Sequence, residues 1–363
     1  MFEYPSATTP LDGEYRTASA VRLVCAALAV GAPGILNCRG LRMNDARPLT
    51  HSRWCIVVAD AAGPEWLVSD DSHAQWAPVQ YCGLGEPTTM LQKALHRAIR
   101  ISHATRIVVT AAEAHRSRWE QALWFTRPEH RYVSEFPGWS SLTTAAAVLS
   151  IATRAPTALV TILPARCYVA DEWTLTVALH RALSERTFLA DGIVTLGMVG
   201  ADTDVDENYL LLGASNGRPT VAVSGIAQRP VEYVARHLVR QGALVASDIY
   251  IGQANRLALL LSKYWPAVTH KLLQHLTSSI TPGVENRIPP ILAREALHVV
   301  PRMSWDRPPR IPLRALRVGH CGWSGLRSPR AIERIVTSQP NALHAGRPGR
   351  AYKSSTIEHG HAT

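Results

Sequence analysis

Apolar, β-rich runs alternating with longer amphipathic stretches constrain this chain more than any other feature. Trp54–Ala59 is a continuous apolar strand, and Arg106–Thr110, Arg131–Glu135, Thr157–Leu163 and Ile193–Met198 repeat the theme. Between them, Thr88–Ile101 places Met90, Leu91, Ala94, Leu95, Ala98 and Ile99 at helical spacing. A helix is also predicted around Glu113–Trp124, another over the alanine-rich Thr143–Arg154, and a third over Asp171–Glu185. Asp171 and Glu172 stand at the positive N-terminus of that third helix. Strands buried on both faces read as unbroken apolar runs, and parallel strands need crossover helices between them. The alternation therefore predicts an α/β fold, with a mixed, mainly parallel, doubly wound sheet flanked by helices.

The rhythm changes after Met198. Shorter strands are expected at Tyr209–Leu212, Thr220–Val223 and Leu244–Ile251, with helices at Val231–Gln241 and Asn255–Thr277. A proline-rich stretch, Ile288–Pro312, interrupts regular structure. These shifts divide the chain into an N-terminal extension (1–50), a main domain (51–287), a small C-terminal subdomain (288–338) and a disordered basic tail (339–363). The apolar run Leu23–Leu36 is too short to span a bilayer comfortably. Met43 reads as a natural start, so residues 1–42 are expected to be dispensable for folding.

The net charge of +10 rests almost wholly on arginine, because lysine occurs only at Lys93, Lys263, Lys271 and Lys353. Between Arg302 and Lys353 the only acids are Asp306 and Glu333. Such a segment can attract polyanions, but no aromatic-interleaved stripe or zinc spacing accompanies it, so nucleic acid is not the expected partner. Cys25, Cys38, Cys55, Cys82, Cys167 and Cys321 include no C-x-x-C pair, which fits reduced cytoplasmic thiols. His359 and His361 lie in the tail. Asp202, Asp204, Asp206 and Glu207 alternate as in a calcium loop but lack its turn glycine, so a solvated acidic loop is expected.

Several blocks, in order and spacing from Trp54 to about Ile335, resemble the mannose-1-phosphate guanylyltransferase branch of the sugar-1-phosphate nucleotidyltransferases. The most specific are the strand and loop Ala158–Glu172, similar to Val-Leu-Pro-x-Asp-His-x-Val-x-Asp-Glu, and Gly322–Arg327, similar to Gly-Trp-Ser-Asp-Leu-Gly. Val58–Leu67 stands where the family has its glycine-rich nucleotide loop, and Pro78–Gly85 with Thr89–Gln92 resembles Pro-Lys-Gln-Tyr-x-x-Leu-x-Gly and Thr-Leu-Leu-Gln. Thr144–Leu149 resembles the guanine-side motif. Gln228–Pro230 stands in for Glu-Lys-Pro, and Gly242–Ser247 for Gly-x-Leu-Trp-Asn-Ser.

The resemblance implies a nucleotide-diphospho-sugar transferase-like (Rossmann-like) fold. It also implies a reaction in which two carboxylates hold Mg²⁺ against the phosphates. The chain departs from the pattern where that chemistry resides. Arg166 and Gly325 replace the two metal-binding aspartates, Val79 a phosphate-binding lysine and Glu65 the loop arginine. No intact catalytic or metal site is therefore expected. Nucleotide contacts are carried over to Ala59, Gly63, Gln80, Thr144, Pro164 and Arg166, and sugar-phosphate contacts to Tyr209, Arg229 and Ser247. The expected function is a degenerate homologue that binds a nucleotide or nucleotide sugar, without a cofactor, in the cytoplasm. Its implied partner is an active paralogue or a second copy of itself. The alternatives are an active enzyme making GDP-mannose with Mg²⁺ and divergent residues, or a basic interaction protein. On this alignment, Arg166→Asp together with Gly325→Asp restores metal binding.

Overall fold

The computed structural model describes residues 52–60, 65–70, 75–135, 137–200, 204–215, 217–279, 281–292, 312–338 and 352–355. Expectations for the N-terminal extension, Gly63, Asp202 and the tail histidines lie outside these residues. The strands are β1 (Arg53–Val58), β2 (Glu65–Asp70), β3 (Gln75–Pro78), β4 (Ile107–Ala112), β5 (Arg131–Ser134), β6 (Leu159–Pro164) and β7 (Ile193–Met198). They continue with β8 (Tyr209–Leu212), β9 (Thr220–Ala227), β10 (Leu244–Gln253), β11 (Asn286–Ile288), β12 (Leu313–Val318) and β13 (Tyr352–Ser355). The main helices are α1 (Met90–Ile101), α2 (Ser140–Arg154), α3 (Glu172–Leu183), α4 (Glu232–Arg240), α5 (Ala254–Tyr264), α6 (Pro266–Ser279) and α7 (Pro329–Ser338).

Among the described residues, ten strands form one sheet in the order β11-β5-β4-β1-β6-β10-β7-β12-β9-β8. From β11 to β6 the strands are parallel. Beyond them β10 runs antiparallel between β6 and β7, and β12 lies parallel to β7 and antiparallel to β9. The sheet is thus mixed, and its parallel half is the part with the longest apolar runs. Alternation along β1 sends Cys55 and Val57 into a core with α1 and α3, and Ile56 into a second core with α2, α5 and α6. Both faces are covered, which is why the strand carries no polar alternation. Residues 313–318, from the segment expected to form a separate subdomain, complete the main sheet as β12. Within the tail expected to be disordered, β13 pairs antiparallel with β2 in a small three-stranded sheet.

Two helix expectations are corrected. After β4 the chain makes short turns, at Glu113–His115, Arg116–Trp119 and Gln121–Leu123, rather than one helix. The Trp119 indole folds back to donate to the Ala112 carbonyl (2.8 Å), tying the segment to the strand end. The single helix expected over Asn255–Thr277 is broken at Trp265, because Pro266 starts α6 and its ring disfavours a helical conformation in the residue before it. Among the described residues no helix is long and apolar enough to cross a membrane.

Chain order fixes where a ligand site belongs. From β1 the chain proceeds to β4 and β5 on one side, then returns to β6 on the other. The reversal leaves a crevice beyond the carboxyl ends of β1 and β6, the general location of ligand sites in open α/β sheets.

Candidate functional site in the crevice between β1 and β6

The loop leaving β6 is zipped to the loop leaving β12. Tyr168 and Ser324 exchange backbone hydrogen bonds of 2.9 and 3.0 Å, and the amides of Ala170 and Asp171 both donate to the Cys321 carbonyl at 3.0 Å. Gly322 permits the approach: it has φ +62°, and a Cβ there would lie 2.6 Å from the Ala170 methyl. Arg166 and Gly325, expected as the degenerate metal pair, are carried by these two zipped loops.

The space beside Gly325 is taken by Glu207. Its carboxylate, 3% exposed, accepts the Gly325 amide at 3.1 Å, and a Cβ at position 325 would lie 2.4 Å from its Oε1. Arg327 Nε lies 2.9 Å from Glu207 Oε2, and its Nη2 bonds Asp248. Asp248 sits in the left-handed region (φ 59°) at the irregularity of β10. One guanidinium therefore bridges two carboxylates. Burial pushes the Glu207 carboxyl up to about 7, against the pull of Arg327 and with a further push from Asp248 and Asp204. Arg166, partly buried, is pushed down to about 10 by burial and by Arg327, while Asp248 and Glu207 oppose the shift. Arg229 acts on Arg166 in the same sense as Arg327.

Behind this loop the supporting contacts are intact. Arg97, on α1 and 2% exposed, grips Glu172 with Nε (2.9 Å) and Nη2 (2.6 Å) and reaches Cys167 Sγ at 3.1 Å. Burial pushes the Cys167 thiol up, opposed by Arg97. Asp171 caps α3, its Oδ1 accepting from the amides of Trp173 and Thr174 at 3.0 Å each. The Asp171–Glu172 pair therefore has structural partners of its own.

At and beside the positions expected to contact a nucleotide, buried protein groups bond one another. Ala59 accepts the Tyr81 hydroxyl at 3.2 Å, and Asp60, 2% exposed, accepts the Gly138 amide (3.0 Å) and the Ser134 hydroxyl (3.3 Å). Gln80 and Thr144 are buried, and Pro164 ends β6. Val79 belongs to an apolar cluster with Tyr168, Leu326 and Ile332. Glu65 opens β2. Among the carried-over sugar-phosphate residues, Tyr209 is buried with its hydroxyl donating to the Asp204 carbonyl at 2.9 Å. The buried Ser247 hydroxyl donates to the Leu196 carbonyl at 2.7 Å. Arg229 is exposed, with φ 39° and its amide on Asn208 Oδ1 (3.3 Å). Arg166 and Gly325 are thus carried by neighbouring loops and the Arg229 charge acts on Arg166, whereas Tyr209 and Ser247 hold the scaffold.

Sequence reasoning did not single out Asp60, Arg97, Asp248 or Arg327, and weighed Glu207 only as part of a solvated loop. The available signal was Arg327 ending the Gly-Trp-Ser block, with no acidic neighbour in sequence to balance it. Asp204 turns outward to Arg334 (2.6 Å) while Glu207 turns inward, so the acidic run does not converge. Among the described residues no three His, Cys, Asp or Glu side chains gather to hold a metal. The Mg²⁺ implied by the resemblance does not fit: the Arg327 guanidinium is paired with both the Glu207 and Asp248 carboxylates and cannot shed a proton to admit a second cation.

No protein-family model matches the chain, and no curated protein matches it by sequence. Solved structures do match along most of its length. The mannose-1-phosphate geranyltransferase of Thermus thermophilus superposes with a TM-score of 0.58 at 17% identity, covering 80% of this chain and 81% of that one. The mannose-6-phosphate isomerase of Helicobacter pylori gives a TM-score of 0.53 at 12% identity, covering 75% of this chain and 99% of that one. At such identities the likeness is one of fold, and the fold is nucleotide-diphospho-sugar transferase-like.

Proposed function

We propose that the chain is a degenerate mannose-1-phosphate guanylyltransferase-like protein that binds a nucleotide or nucleotide sugar with little or no turnover. One observation supports this reading: Arg327 and Arg166 stand among the carboxylates near the positions that the resemblance assigns to metal ligands, and Glu207 fills the side-chain space at Gly325. Guanidinium groups bind phosphate well through paired, charge-assisted hydrogen bonds. They do not supply the Lewis acid that in-line nucleotidyl transfer uses. Such a module would act by reporting ligand to a partner, an active paralogue or a second copy.

Calorimetric titration with GDP-mannose, in Mg²⁺ and in chelator, tests the reading together with an assay for pyrophosphate release. Saturable binding of equal affinity in both buffers, without pyrophosphate release from GTP and mannose 1-phosphate, is expected. Release that chelator abolishes would overturn it in favour of an active enzyme with divergent residues.

A further inference from the structure

The C-terminal strand closes on the segment that leaves β1. β13 pairs antiparallel with β2 in the register Tyr352↔Val68, Lys353↔Leu67, Ser354↔Trp66 and Ser355↔Glu65. Glu65, Trp66 and Leu67 belong to Val58–Leu67, the stretch standing where the resemblance places a nucleotide loop. β2 lies between β13 and β3, so that Leu67 and Val68 are paired on both sides. A nucleotide loop holds phosphate through backbone N–H groups that face the ligand. Backbone groups engaged in a strand ladder are already committed. The outer edge of β2 therefore serves a strand or an anion, but not both.

This small sheet stands at the crevice. Ala77, near the end of β3, and Val79, just after it, cluster with Tyr168 of the β6 loop, Leu326 of the β12 loop and Ile332 of α7. The Tyr81 hydroxyl then reaches back to the Ala59 carbonyl, just past β1. Ile335 and Val336 of α7 pack on the same cluster, so residues 339–351 begin their return to β13 beside the β2–β3 hairpin. A short tether of this kind keeps its strand at an effective concentration on the order of millimolar. The pairing itself is slight, with four residues on the edge of a three-stranded sheet separate from the main one. A strand held near but paired weakly is a reversible closure.

We propose that Tyr352–Ser355 is an autoinhibitory strap, which holds the segment after β1 in sheet form and yields when a diphosphate-bearing ligand takes that side of the crevice. This rests on the binding reading above and adds its regulation. While the strap is closed, β2 offers its outer amides to β13, and only the open fraction of molecules is competent to bind. With the closed form favoured about tenfold, apparent affinity falls by about the same factor.

The test uses the full chain carrying Lys353→Pro with Ser354→Pro. Neighbouring residues of a strand point their N–H groups to opposite edges, so one of the two prolines removes a donor that faces β2. In chelator, GDP-mannose is expected to bind this variant about tenfold more tightly than wild type, with faster amide hydrogen exchange across Glu65–Val68. His359→Pro with His361→Pro, outside the paired residues, should change neither quantity. A peptide of residues 350–357, added at a concentration on the order of millimolar, should reverse the gain. In wild type, saturating GDP-mannose should speed exchange at Tyr352–Ser355, because ligand and strap displace one another reciprocally. Unaltered exchange across Glu65–Val68 in the proline variant overturns the pairing. Faster exchange there with unaltered affinity, or slower exchange at Tyr352–Ser355 on ligand binding, overturns the inhibitory role and leaves the binding reading standing. Failure of wild type and variant alike to bind overturns both.

Discussion

Glu207 and Gly325 form a complementary pair: the glycine carries no side chain, and the Glu207 carboxylate occupies the space one would need. The pair corrects the repair expected from sequence. Gly325→Asp places a second carboxyl against Glu207, with its first carbon already 2.4 Å from Oε1. We expect Gly325→Asp to lower the melting temperature, and Gly325→Asp with Glu207→Ala to recover much of the loss; an undiminished melting temperature in the single variant would contradict the packing. Glu207 also gives a pH signature. Its folded carboxyl titrates at about 7, above the ordinary 4.5, so the folded state holds a proton that the unfolded chain releases. Its contribution to stability is greatest below about 4.5, falls as pH rises from there to about 7, and is constant above; the total change is roughly 3 kcal/mol. Glu207→Gln removes this slope. The stability difference between variant and wild type, from denaturant melts at pH 5 and pH 8, should therefore favour the variant at the higher pH.

At the level of elements, several of the motifs matched in the sequence have a structural task. Thr89 and Gln92, matched as a motif, form a reciprocal capping box at the start of α1. Thr89→Ala should cost about 1 kcal/mol, read from urea unfolding with unchanged slope. Arg97 joins α1 to α3 and to the β6 loop, so Arg97→Met should cost about 3 kcal/mol and lower any ligand affinity through loss of loop order. The strands of the parallel half were legible because double-sided burial writes itself as a continuous apolar run. The turns after β4 were not, since Trp119 closes on a carbonyl seven residues earlier and leaves no periodic trace. The break before Pro266 had a local signal in the proline itself. The site was legible as two loops, in Arg166 and Gly325, but not as a charge cluster. Glu207, Asp248 and Arg327 come from three distant segments that only the sheet order brings together.

For the molecule as a whole, Arg327 ties the 204–208 turn, β10 and the β12 loop together as a bound cation would. Melting temperature is accordingly expected to be indifferent to chelator and to added Mg²⁺; a rise of several degrees with Mg²⁺ would argue for a metal site after all. The placement of β12 has a consequence during synthesis. A ribosome that has produced the chain only to about residue 290 has made β7 and β9 but not the strand that separates them. Until residue 318 leaves the exit tunnel, both partners present bare hydrogen-bonding edges, the state in which nascent sheets capture one another. Premature termination in the proline-rich stretch should therefore yield aggregate rather than a smaller soluble domain, and a nascent chain of this protein should lean on chaperones until its last fifth has been made.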